Sequence, residues 1–244
     1  MKTILLAAGY ATRLYPLTEN FPKPLLKVGE KTILDWLIED IDTSGLVDEY
    51  IVISNHKFAG HFREWADGHR LPVTIVDDGT STNETRLGAV KDIQFAIEQR
   101  DIGDDVLVIA GDNVLDFSLV PFVQYGRDNG CSCIMCYEEN DLAKQRRTAI
   151  ITVDADDTIT SYEEKPRDPA GNLAVPPFYY YRNEDIHRIP EALAAGCGYD
   201  APGSFAAWLS KQTPMKAWKM PGRRFDIGNL DSYEAIRGSY KGPI

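Results

Sequence analysis

The chain of 244 residues has little that would suit the cell exterior, a membrane or a nucleic acid. It holds four cysteines, too few and too irregularly spaced for a disulfide framework. Cys131, Cys133 and Cys136 fall in CSCIMCY, which reads as a buried strand. Alternation along a strand puts Cys131 and Cys133 on one face and Cys136 on the other. The three therefore do not converge on a metal and read as small buried hydrophobes. No apolar run approaches the ~20 residues that span a bilayer. The opening MKTILLAAGYATRL superficially resembles a signal peptide, but its apolar run stops at Gly9 and passes into Thr12 and Arg13. A strand fits better, and a cytosolic location is expected. Basic side chains are also in short supply: 26 Lys and Arg against 37 Asp and Glu leave a net charge of −11. That balance argues against nucleic-acid and anionic-membrane partners, which need basic surface. There is no G-x-G-x-x-G after the first apolar run, so a Rossmann-type dehydrogenase is excluded, and no Walker Lys-Ser/Thr. His56, His61, His69 and His187 fall on expected helices or their ends, where a solvated or capping role is the default. Internal repeats and low-complexity segments are missing too.

What is present is an alternation of strand and helix. Residues 2–7, 49–54, 72–76, 105–110 and 131–137 are rich in Val and Ile and apolar on both faces, as in a helix-covered parallel sheet. Amphipathic stretches lie between them at about 32–44, 57–68, 86–100 and 117–129. The pattern predicts a doubly wound α/β sheet, mostly parallel and Rossmann-like, with ligands at the carboxyl ends of the strands. Past residue 140 the texture changes to a hairpin at 148–153 and 158–163, a Pro/Gly-rich link, a strand through PPFYYYR, and helices at 184–196, 204–212 and 229–238. One domain is expected, with a nucleotide half at about 1–140 and a substrate half at about 141–244.

Charge reverses locally. Residues 1–31 carry five basic side chains (Lys2, Arg13, Lys23, Lys27, Lys31) and two acidic ones (Glu19, Glu30). A basic pocket in an acidic protein suits a small polyanion, although a solvated loop would have the same composition. After the first strand, small residues at Ala7, Ala8, Gly9 and Ala11 let backbone N–H groups approach phosphate oxygens, and Arg13 adds a permanently charged fork. The loop is expected to run on without a helix to Pro24, with Lys23 held between two prolines. Long ordered loops in compact domains are usually functional.

The stretch LAAGYATRLYPLTENFPKPLLKVGEKTILD resembles the signature of the sugar-1-phosphate nucleotidyltransferases, roughly L-A-x-G-x-G-T-R-L-x-P-L-T…P-K-P-L. IAGDNVLD, SYEEKPRDPAGNLAVPPFYYYRNED and RRFDIGNLDSYEAI are similar to later segments of that family, so the likeness covers nearly the whole chain. The GDN form is similar to that of glucose-1-phosphate thymidylyltransferases, whereas the length and FPKPLL are closer to compact muramate and heptose nucleotidyltransferases. Ala11 departs from the family's third-position Gly.

The resemblance implies a nucleotide site at Leu6, Ala7, Ala8, Gly9, Ala11, Thr12, Arg13, Lys23 and Gly111, with the base beside Asn83, Arg86 and Gly88. It assigns Mg²⁺ to Asp112 and Asp226, the acceptor phosphate to Lys165, and acceptor hydroxyls to Glu164 and Tyr179. Read alone, Lys165 is a surface lysine in a polar loop and Asp112 a cap for the helix starting near Phe117. Tyr179, Tyr180 and Tyr181 equally read as strand residues alternating between core and surface. A phosphate oxygen of the acceptor would attack the α-phosphorus of an NTP, expelling pyrophosphate, with Arg13, Lys23 and Mg²⁺ stabilising the charge. A phosphate monoester is mostly dianionic at neutral pH, with a second pKa near ~6, so no general base is needed.

Base choice is harder to read. The segment after the third strand, DDGTSTNETRLGA, has no Gln of the thymidylyl and uridylyl kind. Asn83 offers the paired donor and acceptor a base edge needs, and Arg86 equally suits a carbonyl-rich base. Similarity over residues 110–184 to pyrimidine-using members favours a pyrimidine NTP. Ala149 and Pro176-Pro177 replace family Gly and Thr-Gly, which leaves open a cytidylyltransferase acting on an alcohol or amine phosphate or a phosphonate. A nucleotide-sugar-binding regulatory subunit on the same fold is the non-enzymatic alternative. A monomer or small homo-oligomer is expected.

Overall fold

The first strand, KTILL, carries Ile4, Leu5 and Leu6, and its central residues are buried on both faces. The structure, a computed structural model, describes residues 1–243. Its strands are β1 (Lys2–Leu6), β2 (Lys27–Val28), β3 (Lys31–Thr32), β4 (Glu49–Ser54), β5 (Val73–Asp77), β6 (Val106–Ala110) and β7 (Asn113–Leu115). They continue as β8 (Cys133–Glu138), β9 (Ala149–Val153), β10 (Ile159–Glu164), β11 (Leu173–Val175), β12 (Phe178–Tyr181), β13 (Lys216–Lys219) and β14 (Arg224–Asp226). The helices are α1 (Ile33–Asp42), α2 (His56–Asp67), α3 (Ala89–Arg100), α4 (Val120–Asn129), α5 (Leu142–Gln145), α6 (Asn183–Ile186), α7 (Ile189–Ala194), α8 (Gly203–Leu209) and α9 (Leu230–Ile236). No helix among the described residues is long and apolar enough to cross a membrane.

Ten strands form the main sheet, in the order β10-β9-β11-β8-β12-β6-β1-β4-β5, with β13 pairing alongside β8. The half β6-β1-β4-β5 is parallel. Crossover helices pack on both faces, as βαβ connections require. Leu5 and Leu107 meet the side chains of α1, α2, α4 and α9 on one face. Ile4 and Val108 meet α3, α7 and α8 on the other. The cysteines divide as alternation predicts: Cys133 joins the first of these cores, with Cys131 packed against it, and Cys136 joins the second.

The fifth expected strand does not extend the parallel row. β12 inserts antiparallel between β6 and β8, so the strand carrying the cysteines is one place further out. A later segment thus zips the two halves of the chain into one sheet. Two further departures have local causes. The helix expected over 184–196 is split into α6 and α7, because Pro190 in the first turn of α7 has no N–H to give an unbroken helix. The loop expected to run without a helix to Pro24 contains single 3₁₀ turns at Thr12–Leu14 and Lys23–Leu25.

Candidate active site

The site is assembled at the carboxyl end of β1 and β6. Ala7 donates its N–H to the carbonyl of Ile53 at 2.9 Å, and Gly111 donates to that of Leu6 at 3.0 Å, which ties the loops after β1 and β6 together. Gly111 sits so close to Leu6 O and to the Pro24 and Leu34 side chains that a Cβ there would be 3.1–3.4 Å from them. Gly9 is the opposite case: nothing lies within 4 Å of where its Cβ would be. That open space over the backbone is what a phosphate group needs. Buried Ala8 is fixed from below, its carbonyl accepting from Asn55 Nδ2 at 2.9 Å.

A cavity of about 180 Å³ is lined by Leu6, Ala7, Gly9, Ala11, Lys23 and Asp112, among others. Six residues expected at the phosphates or metal therefore share one space. Thr12 and Arg13 stand exposed on the following 3₁₀ turn. Lys23 is buried and directs Nζ onto Asp112 Oδ2 at 2.9 Å. The turn 23–25 and its flanking prolines fix this lysine backbone, since proline restricts its own φ and the residue before it.

Asp112 and Asp226 are brought together by the short ladder of β7 and β14, in which Asp226 pairs with Asn113. Ile227 donates its N–H to the carbonyl of Asp112 at 3.0 Å. The helix after Phe117 begins at Val120, and it is Asp40 that accepts from the backbone there, at Leu119, so Asp112 is no helix cap. The Asp226 side chain is 53% exposed, yet protein crowds its carboxylate. Desolvation, then the charge of Asp112, raise its pKa, against the pull of Arg224, Lys23 and Arg13. Two carboxylates that repel one another here form a hard-oxygen pair. Among the described residues no third His, Cys, Asp or Glu joins them. Such a pair suits Mg²⁺, which keeps several water and phosphate ligands of its own.

Beyond Asp112 a second cavity, of about 450 Å³, opens onto the same two carboxylates. Arg224 lines it, donating to Asn113 Oδ1 at 2.6 Å and lying 3.7 Å from Asp226 Oδ2. Asn113 in turn donates to Asp112 Oδ1 at 2.5 Å. Sequence reasoning passed over both. Arg224 was legible as the residue two before Asp226, on the same face of a strand.

The remaining expected residues lie elsewhere. Glu164 and Tyr179 gather around Gly203 at the start of α8, where an added Cβ would be 3.2 Å from Glu164 Oε2 and 3.3 Å from Tyr179 Oη. The buried Tyr162 hydroxyl joins them, 2.8 Å from the same point. Burial raises the pKa of Glu164, against the opposing charge of Lys165. Lys165 itself is exposed. Glu164, Lys165 and Tyr179 do not line the cavity holding Asp112 and Asp226, although Pro202, next to Gly203, does. All four residues of β12 are buried; Tyr179 and Tyr181 face one core and Phe178 and Tyr180 the other, so none alternates to the surface. Arg86 pairs with Asp200 at 2.9 Å and donates to the carbonyl of Asn83 at 2.9 Å. Gly88 precedes α3 at φ 91°, with Tyr199 and Asp200 packed against it. Asn83, Arg86 and Gly88 line neither cavity. Of the histidines, His56 hydrogen-bonds Asp77 at 2.8 Å while staying largely exposed at the start of α2, and the less exposed His69 hydrogen-bonds Asp35 at 2.9 Å.

Comparison with known proteins shows which chains this one resembles. A UTP–glucose-1-phosphate uridylyltransferase from Synechocystis sp. is 27% identical over 98% of the chain. Another from Haloferax volcanii is 25% identical over 93%, and a glucose-1-phosphate thymidylyltransferase from Mycobacterium tuberculosis 29% identical over 84%. The chain spans 63%, 91% and 67% of these relatives' lengths, respectively. The fold is shared with a UDP-glucose pyrophosphorylase solved with UDP-glucose, at a TM-score of 0.83 and 17% identity, covering 98% of this chain and 97% of that one. The sequence profile of the nucleotidyl transferases matches residues 2–241. The chain belongs to the nucleotidyl transferase family.

Proposed function

We propose that this protein transfers a nucleoside monophosphate from an NTP to a sugar 1-phosphate, releasing pyrophosphate and forming an NDP-sugar. The observation that carries the reading is the meeting of Asp112 and Asp226 beside the glycine loop and Lys23, at the carboxyl end of a parallel sheet. In this reading the backbone of residues 7–11 and the side chains of Arg13 and Lys23 hold the triphosphate. Asp112 and Asp226 hold Mg²⁺, which would supply charge stabilisation at the α-phosphate. The acceptor phosphate lies in the neighbouring cavity beside Arg224. The acceptor oxygen bonds to the α-phosphorus as the bond to pyrophosphate breaks, and no side chain need remove a proton. UTP, dTTP or CTP is the expected donor. The similarity of residues 110–184 to pyrimidine users supports that choice.

The test is pyrophosphate release with Mg²⁺, a panel of NTPs and a panel of sugar 1-phosphates. Turnover with a pyrimidine nucleotide and at least one sugar 1-phosphate is the expected result. Silence across the whole panel from folded protein sinks the reading.

A further inference from the structure

The larger cavity has an unusual lining for a site that would read only sugar hydroxyls. One side is Val175, Pro176, Pro177 and Pro202, and prolines offer no backbone N–H. Another side presents Lys144 and Arg147. Their placement is built by the chain around them. Asp141 caps the short turn of α5, its Oδ1 accepting from Ala143 N at 2.8 Å. Buried Gln145 anchors the turn from within, donating to the carbonyl of Glu139 at 2.5 Å. Arg146 turns away, donating to the carbonyl of Arg167 at 2.9 Å. Lys144 and Arg147, three residues apart on the turn, are left at the cavity. Among the described residues, neither has a carboxylate within 4.0 Å, whereas Arg224 in the same cavity is held by Asn113 and Asp226. Glu139, also in the lining, is engaged by the N–H of Asp141 at 2.9 Å.

We infer that the acceptor is a sugar 1-phosphate bearing a second anionic group, a carboxylate or a further phosphate, and that Lys144 and Arg147 hold this group. The inference rests on the reading above, in which the 1-phosphate lies at Arg224, beside Asp112 and Asp226. Two unpaired cations on one turn are then surplus to a neutral sugar. A carboxylate or phosphate matches them in charge, and charge-assisted hydrogen bonds are about twice as strong as neutral ones.

The experiment uses the full chain with Mg²⁺ and the pyrimidine NTP that supports turnover. Three acceptors are compared for pyrophosphate release: glucose 1-phosphate, glucuronic acid 1-phosphate and glucose 1,6-bisphosphate. At least one acidic acceptor should exceed glucose 1-phosphate in kcat/KM by about 10-fold or more, the effect of one charge-assisted contact. Which acid wins separates carboxylate from phosphate. In the Lys144→Ala/Arg147→Ala double variant that ratio should fall close to one, and Arg147→Lys should keep most of it. Glucose 1-phosphate used as well as both acids overturns the inference and leaves the nucleotidyl-transfer reading intact. An acid preference that the double variant does not move overturns the assignment to Lys144 and Arg147. Uniform loss with all three acceptors does so too, since it would mean that they hold the 1-phosphate itself. Silence with every acceptor and NTP takes down the underlying reading and the inference with it.

Discussion

Lys23 Nζ lies 2.9 Å from Asp112 Oδ2, across 89 residues of sequence, with the lysine buried and the aspartate 37% exposed toward the cavity. The pair positions a cation and one carboxylate of the proposed metal pair at the same point. Asp112→Asn and Asp226→Asn should each fold normally by circular dichroism and lose most turnover, chiefly in kcat, because the charge they organise matters most as the transition state forms. Lys23→Ala should lower kcat by ~100-fold or more, the usual scale for a preorganised electrostatic donor. Near-normal Mg²⁺-dependent kinetics in both folded Asn variants would show that the site is misassigned.

Asp92, on α3, gives a pH-dependent stability. Its side chain is buried, Oδ1 has no hydrogen-bond partner, and desolvation, then the charge of Asp78, push its pKa up to about 7. The folded state therefore keeps a proton that the unfolded chain releases near pH 3.8. Its contribution is fully present below that pH, declines as pH rises toward 7, and is gone above it. Asp92→Asn removes the titration. It should raise Tm at pH 8 by several degrees, with a much smaller change at pH 4. Equal effects at the two pH values would contradict the assignment.

Ala11 occupies the left-handed region, at φ 48° and ψ 41°, where its carbonyl accepts from Thr18 Oγ1 at 2.8 Å. An alanine there costs about 1 kcal/mol or more relative to glycine, which outweighs the extra chain entropy glycine brings. Ala11→Gly is expected to raise Tm by about 2–4 °C for a chain of this size, and Ala11→Val to lower it. Differential scanning calorimetry decides, and a lower Tm for the glycine variant would refute the strain argument.

Gly126 lies inside α4, where alanine would ordinarily stabilise the helix by about 1 kcal/mol. Here a Cβ would be driven into the Tyr180 ring. That ring cannot retreat freely, because its hydroxyl donates to Asp105 at 2.7 Å. Gly126→Ala should therefore destabilise by about 1–3 kcal/mol, the cost of overpacking. Urea denaturation showing a gain in stability would count against this packing.

Much of the molecule was readable in one dimension. Runs largely apolar on both faces, such as KTILL and EYIVIS, have few alternatives to strands covered by helices on either side. The loop after β1 was legible as a backbone feature, because its small residues and proline-flanked lysine act locally; its proposed hold on phosphate is for the variants above to test. Long-range pairings were not. That β12 divides β6 from β8, that β14 carries Asp226 to Asn113, and that Lys144 and Arg147 border the same cavity as Asp226 are all results of sheet registry. KQRR looks like any solvated run until the cavity is formed. Short strands such as RFD and NVL are too brief to carry a period, and their partners lie about a hundred residues away. Local chemistry determined the elements and the loop; only packing the distant segments together decided which charges face one another.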